Sequence, residues 1–280
     1  MLYMTIIDGK KIADEILTRL ATLPKPKRFL AAVLIGDDPS SMSFLKQKEK
    51  TAWKLGVDFR LYQFSASIAK DDLRLTIKKM GNDPACGGII LQLPLPNRDD
   101  EQDVLNAISR VKDIDVLGEK ALAAFRAGES AILPPAVGVV REVIMDYGLL
   151  IMESTVAVIG AGRLVGRPIA TWLTGKAKEV LILDKGDDLK RLEDADVVIS
   201  GAGVPGLITP DMLKDGAIVI DFGYGLLNGK PSGDFNGEGL RIKDYGLLIT
   251  PTPGGTGPIL VAKLFENFYA LNDVSRGVVK

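Results

Sequence analysis

With 280 residues, 46% of them hydrophobic and 25% charged, the chain has the make-up of an ordinary globular protein long enough for two domains. Its 35 basic and 36 acidic residues leave a formal charge of −1, so bulk electrostatics give no reason to expect a nucleic acid or an anionic membrane as partner. Cys86 is the single cysteine and there is no histidine, which excludes internal disulfides, cysteine zinc sites, histidine metal ligands and Ser-His-Asp or Cys-His machinery; acid–base chemistry falls to Lys, Asp, Glu, Tyr or Cys86.

The stretch MLYMTIIDGKKIADEIL turns polar from Asp8 and has no long apolar core, so it is not expected to be a secretory signal. No run approaches the ~20 apolar residues of a membrane span, and with a lone cysteine the expected location is cytoplasmic. FLAAVLIG (Phe29 to Gly36) predicts a buried strand, and DDPS predicts a turn and cap for a helix from about Ser40 to Leu55. That helix carries SFLKQKEK, in which Phe44 and Lys48 stand at i, i+4 and share a side. A lone helical lysine is most often a surface charge. VDFRLYQF predicts a strand, KDDLRLTIKKM a helix, GGIILQLPLP a strand ending in prolines, and EQDVLNAIS a helix. From Val111 to Leu133 the pattern weakens, and loops are expected around KDIDVLGEK.

After the helix AVGVVREVIMDYG a second series begins. TVAVIG predicts a strand, RLVGRPIATWLTG a helix, EVLILD a strand, DLKRLEDA a short helix and DVVISGAG a strand. TPDML predicts a short helix, GAIVIDFG and GLLIT strands, and GPILVAKLFENFYALN a long final helix. Such alternation predicts an α/β fold with mainly parallel sheets. The domains expected are 1–138 and 139–256, parting in or near the helix Pro135 to Gly148, with the last helix, 257–280, packing back on the first domain.

VAVIGAGRLVGRP (Val156 to Pro168) is a strand, a glycine turn and a helix start. Gly160, Gly162 and Gly166 follow a spacing one residue longer than the usual dinucleotide fingerprint. The physics is shared: a tight turn, a bare backbone for phosphate to approach, and the positive end of a helix. A plain βα turn would need only the first of these. Asp184 closes the next strand, about 20 residues on, where an acid commonly binds the ribose 2′-hydroxyl and favours NAD. It could equally be a strand-end acid in solvent, and Arg163 and Lys185 offer the opposite charge. A second glycine turn, GAGVPG, with Gly201 and Gly203, follows DVVIS, either beneath a nicotinamide ribose or as a simple turn.

PSSMSFLKQKEK, GGIILQLPLP, VKDIDV and TPTPGGTGP, joined by GAGRLVGRP, stand in an order and spacing that resemble the methylenetetrahydrofolate dehydrogenase/methenyltetrahydrofolate cyclohydrolase family over nearly the whole chain. The resemblance implies an N-terminal α/β folate and catalytic domain, a Rossmann-like dinucleotide domain and a cleft between them. It implies oxidation of 5,10-methylenetetrahydrofolate with NAD(P), then hydrolysis of the methenyl product to 10-formyltetrahydrofolate. Tetrahydrofolate one-carbon derivatives are then the ligands, the assembly a homodimer, NADP the commoner cofactor against the NAD that Asp184 suggests, and no metal is expected. Lys48 matches the family's catalytic lysine, Gln92 the glutamine that orients it, and Asp115 the acid that holds the pterin.

Elementary chemistry suits these roles. Without histidine, a lysine of lowered pKa can exchange protons, and a cationic methenyl substrate lowers it further. Asp115 suits the N–H donors of a pterin. Pro253, Gly254 and Gly255 lie in a loop stiffened by prolines and bared by glycines, fit to lie against a flat ring or to serve as a rigid connector. The sequence departs from the family at Phe44 (commonly tyrosine), Val116 (commonly glycine), the LPPAV segment, Gly162 (commonly serine), Asp184 and Lys185 (commonly His-Ser) and Thr256 (commonly valine). Two rival readings follow: a dehydrogenase without the cyclohydrolase step, and a catalytically weak folate- or nucleotide-binding regulatory protein.

Overall fold

The computed structural model describes residues 5–237 and 246–273. In chain order the elements are β1 (Thr5–Ile6), α1 (Gly9–Ala21), β2 (Phe29–Ile35), α2 (Pro39–Leu55), β3 (Phe59–Phe64), α3 (Lys70–Asn82), β4 (Cys86–Leu91), α4 (Glu101–Leu105), α5 (Glu119–Arg126) and α6 (Pro135–Asp146). There follow β5 (Thr155–Ile159), α7 (Gly166–Leu173), β6 (Glu179–Leu183), β7 (Val197–Ser200), β8 (Ile218–Asp221), β9 (Gly225–Leu227), β10 (Lys230–Ser232), β11 (Leu248–Ile249) and α8 (Thr256–Leu271). Among these residues no helix is long and apolar enough to cross a membrane.

The chain divides into two units, Asp14–Pro135 with Val261–Lys280 and Met1–Ala13 with Ala136–Leu260. The first is built on a three-stranded parallel sheet in the order β3-β2-β4. β2 is buried at every position, as a near-continuous apolar run in a parallel sheet requires. Its core joins Phe29, Val33, Ile77, Ile89 and Leu105. α2 starts where the Asp38 carboxylate accepts from the Ser41 N–H at 2.8 Å, has Pro39 in its first turn, and stops at Gly56 in the left-handed conformation.

The second unit holds a six-stranded sheet in the order β1-β11-β8-β7-β5-β6, parallel at every pairing. From β5 the chain steps to β6 on one side and to β7 on the other. The carboxyl ends of β5 and β7 therefore flank the topological switch point, where open α/β sheets bind their ligands.

Several expectations need correction. Residues 1–138 do not form one body: Thr5 and Ile6 pair with Leu248 and Ile249, which carries the described start of the chain into the second unit. α8 divides, with its residues to Leu260 grouped with that unit and those from Val261 with the other, while 274–280 lie outside the described residues. The stretch 111–133, where the sequence pattern weakens, contains α5 just after the expected loops, and its Ala121, Ala124 and Phe125 bury one face. The two short helices are 3-10 turns at Leu189–Asp194 and Pro210–Met212. The β9–β10 hairpin is antiparallel and too short to show an alternating pattern in sequence.

Candidate functional site

In the first unit three of the expected residues converge. α2 carries Phe44 and Lys48 on one side, with Phe44 38% exposed and Lys48 half-buried. Lys46 and Lys50, on the helix's other sides, are exposed. Gln92 follows the last residue of β4, where the Leu93–Pro94 peptide is cis. Lys48 Nζ donates to Gln92 Oε1 at 3.1 Å, and Gln92 Nε2 donates to the Leu93 carbonyl at 2.9 Å. The second bond fixes which way the amide faces, so its oxygen is held toward the lysine. Burial pushes the Lys48 pKa below the usual lysine range, and the nearby Asp115 charge opposes that shift. Asp115 is the mirror case: burial pushes its pKa up and Lys48 pulls it down.

Asp115 stands on a turn that sequence reasoning did not resolve. Its neighbour Asp113 is 1% exposed and turns Oδ2 to the N–H groups of Leu117 at 3.0 Å and Gly118 at 2.7 Å. Asp113 Oδ1 is buried with no hydrogen-bond partner. Burial pushes the Asp113 pKa up to about 6, against the pull of those N–H groups, with the Asp115 charge adding to the rise. Asn267 of α8 donates to the carbonyls of Ile114 and Leu133, both at 2.8 Å. Val116 sits at φ 57°, a left-handed conformation that a β-branched residue rarely adopts. The family's glycine at this position is the signal that sequence reading had and did not use.

In the second unit, the expected dinucleotide residues gather at the ends of β5, β6 and β7. Gly160 has φ 84°, and a Cβ there would lie 2.9 Å from Ala202 Cα. A Cβ on Gly166 would strike the Gly160 carbonyl, so α7 can begin this close to the strand only with glycine. Gly162, by contrast, faces open space. A tight turn, a bare approach and a helix start together fit a pyrophosphate. Arg163 is half-buried; Asp184 and Lys185 are exposed on the turn after β6. Gly201 continues from β7, its N–H donating to Ile159 at 2.9 Å, and Gly203 follows at φ 68°.

Pro253, Gly254 and Gly255 precede α8 in this second unit and not in the unit that carries Lys48. The Thr252–Pro253 peptide is cis, Gly254 has φ 102°, and the Gly255 N–H donates to Pro251 at 2.8 Å. Two buried groups here escaped the sequence reading, Asp221 and Asp234, and Thr256, which the sequence marks only as a departure from the family, is buried with them. Thr256 Oγ1 donates to the Asp221 carbonyl at 2.8 Å and ties the head of α8 to the end of β8.

Comparison with known proteins matches both parts of the chain. The catalytic-domain model of tetrahydrofolate dehydrogenase/cyclohydrolase matches residues 7–115, and the NAD(P)-binding-domain model matches residues 134–275. The chain is 35% identical over 276 residues to the bifunctional protein FolD of Nautilia profundicola, covering 94% of this chain and 95% of that protein. It is 31% identical over 282 residues to that of Staphylococcus aureus (strain bovine RF122 / ET3-1), covering 98% of each. Among solved structures, the Campylobacter jejuni FolD dehydrogenase/cyclohydrolase superposes with a TM-score of 0.90 at 31% identity, over 97% of this chain and 99% of that one. The Trypanosoma brucei FolD, complexed with NADP and an inhibitor, gives a TM-score of 0.89 at 27% identity, over 99% and 100%.

Proposed function

The chain belongs to the tetrahydrofolate dehydrogenase/cyclohydrolase family, and on that premise we propose how its side chains divide the two reactions. The first oxidises 5,10-methylenetetrahydrofolate to the methenyl form with a nicotinamide dinucleotide; the second hydrolyses that product to 10-formyltetrahydrofolate. The nicotinamide, when bound, supplies the hydride acceptor, and the protein's share of that step is placement. The Gly160, Gly162 and Gly166 turn takes the pyrophosphate, Gly201 and Gly203 border the nicotinamide-side ribose, and Arg163, Asp184 and Lys185 meet the adenine-side ribose.

In the hydrolysis, water oxygen adds to the methenyl carbon and its proton passes to neutral Lys48 Nζ. As the bond from that carbon to N5 breaks, Lys48 passes that proton to N5, the remaining proton on the added oxygen is released to solvent as the formyl C=O forms, and the formyl group stays on N10. Gln92 aims the amine, Asp115 accepts from pterin N–H groups and Phe44 offers a ring face, while Pro253, Gly254 and Gly255 give the second unit a stretch of bare backbone. The observation that carries this reading is the Lys48–Gln92 hydrogen bond on a lysine whose pKa is pushed down by burial. Absorbance at the methenyl band tests it: the signal should rise with nucleotide and methylenetetrahydrofolate, and added methenyl compound should decay faster than in buffer. Decay at the buffer rate leaves a dehydrogenase alone, and no rise with either nucleotide removes the dehydrogenase activity.

NAD is the cofactor this site favours. Asp187 accepts from the Asp184 N–H at 2.7 Å, Asp184 from the Lys185 N–H at 2.9 Å, and Asp188 from the Lys190 N–H at 3.0 Å, which sets three carboxylates on the turn after β6. A ribose 2′-phosphate there meets like charge, whereas a 2′-hydroxyl can donate to Asp184. Parallel kcat/KM values for NAD and NADP decide the point. A homodimer belongs to the same reading, since β6 ends the sheet with Ile182 53% exposed, and sedimentation at micromolar protein tests it. A cytoplasmic location accords with the buried free thiol of Cys86.

A further inference from the structure

We propose that Asp234 is the positioning residue of the dinucleotide site: its buried carboxylate gathers the Ser200–Val204 loop and holds it against the Gly160 turn. The inference rests on reading those two glycine turns as the nucleotide site. Asp234 lies after the β9–β10 hairpin, far in sequence from either turn, and is fully buried. Its Oδ2 accepts from Ser200 Oγ at 2.6 Å, from the Ala202 N–H at 2.9 Å and from the Gly203 N–H at 3.2 Å; its Oδ1 accepts from the Val204 N–H at 2.7 Å. A buried charge survives where such donors replace water, and here one carboxylate takes consecutive N–H groups from one turn.

The anchor is itself fixed. The Ile208 N–H donates to the Asp234 carbonyl at 2.9 Å and the Gly206 N–H to the Gly233 carbonyl at 3.1 Å. The next residue, Phe235, donates its N–H to Asp221 Oδ2 at 2.9 Å, and Asp221, 2% exposed, also accepts from Gly223 at 2.7 Å. Asp234 therefore cannot follow the loop if the loop moves. What the loop rests on is the other glycine turn, with Ala202 packed where a Gly160 side chain would stand. With three of its N–H groups turned inward to Asp234, the loop meets a ligand through its shape and its bare glycine edge. Losing the carboxylate frees that edge, and the Gly160 turn loses the surface it packs against.

Direct nucleotide binding and methenyl hydrolysis, measured side by side, test the inference. Hydrolysis depends on Lys48 and needs no hydride transfer, so it reports a role confined to folding. In Asp234→Asn the amide nitrogen faces an N–H where an oxygen stood, and the nucleotide Kd should rise roughly tenfold or more while the hydrolysis rate stays within about twofold. Ser200→Ala removes one of the four donors and should raise the Kd about threefold; it carries the same test if Asp234→Asn does not fold. An unchanged Kd in the folded variant overturns the inference, and so does an equal loss of binding and hydrolysis. Gly160→Ala separates the two layers. A Kd raised by Gly160→Ala but not by Asp234→Asn overturns the positioning role alone. A Kd unmoved by both removes the glycine turns as the nucleotide site and this inference with them.

Discussion

Asp115 and Asp234 are the same side chain put to opposite uses in the two units. Asp234 is sealed from solvent and filled by donors from one loop, so its charge is spent on structure. Asp115 is half-buried beside Lys48, and each pulls the other's pKa back from where burial pushes it. The difference teaches that burial alone does not mark a carboxylate for chemistry. What separates the two is whether neighbouring donors have already claimed the charge.

The sharpest way to break that contrast is to remove the charge Asp115 faces. Lys48→Met keeps most of the stem and deletes the amine. Methenyl hydrolysis should fall ~100- to ~10,000-fold, the range for losing a positioned proton-transfer group. The pH dependence follows from the direction of the shift: only neutral lysine accepts a proton, so hydrolysis should climb with pH and level off below an ordinary lysine's pKa. Hydrolysis at the wild-type rate in Lys48→Met would move the proton chemistry elsewhere.

Asp113 sits between the two kinds of carboxylate, with one oxygen claimed by N–H groups and the other buried without a partner. Its folded pKa of about 6 lies above that of an unfolded aspartate, so its contribution to stability is fully present below about pH 4 and lost as pH rises through about 6. Urea titrations of the wild type and Asp113→Asn across that window should show the wild type losing ground with rising pH, on the order of 3 kcal/mol. Parallel curves would mean that Asp113 ionises as easily folded as unfolded.

A smaller effect is expected at the nucleotide end. Asp184→Ser removes one of three carboxylates from an exposed turn, so screening limits the gain. The ratio of kcat/KM values should move toward NADP by roughly tenfold. An unmoved ratio would place the ribose away from the β6 turn.

Much of this site is written in local patterns. The glycine turn after β5 shows itself because a strand, bare backbone and a helix start must follow in sequence. The α2 stripe of Phe44 and Lys48 shows itself through helical spacing. The groups that hold these in place do not, because their partners come from far along the chain. Asp234 reaches back to Ser200, and Asn267 to Ile114 and Leu133, and no spacing rule links such positions. Thr5 and Ile6, expected in the first domain, lie in the second unit for the same reason: the partner of their strand, β11, lies at the other end of the chain. α5 was missed because its small apolar face, Ala121, Ala124 and Phe125, follows an irregular turn.

That turn also carries the smallest predicted change. Val116 is 1% exposed and sits at φ 57°, so it gains from burial what it loses in backbone strain. Strain of this kind costs about 1–3 kcal/mol, and a buried valine side chain returns a similar amount. Val116→Gly should therefore shift the unfolding free energy by no more than about 1 kcal/mol. Val33, fully buried in β2, has ordinary strand geometry to lose along with its side chain, and Val33→Gly should cost several times more, about 3 kcal/mol. Equal losses at the two positions would show that Val116 carries no strain. With the strain present, the hydrogen bonds from Leu117, Gly118 and Asn267 are what hold the turn in this shape. A glycine at 116 then relaxes the backbone next to Asp115, and the folate KM should rise while kcat for hydride transfer stays near wild type.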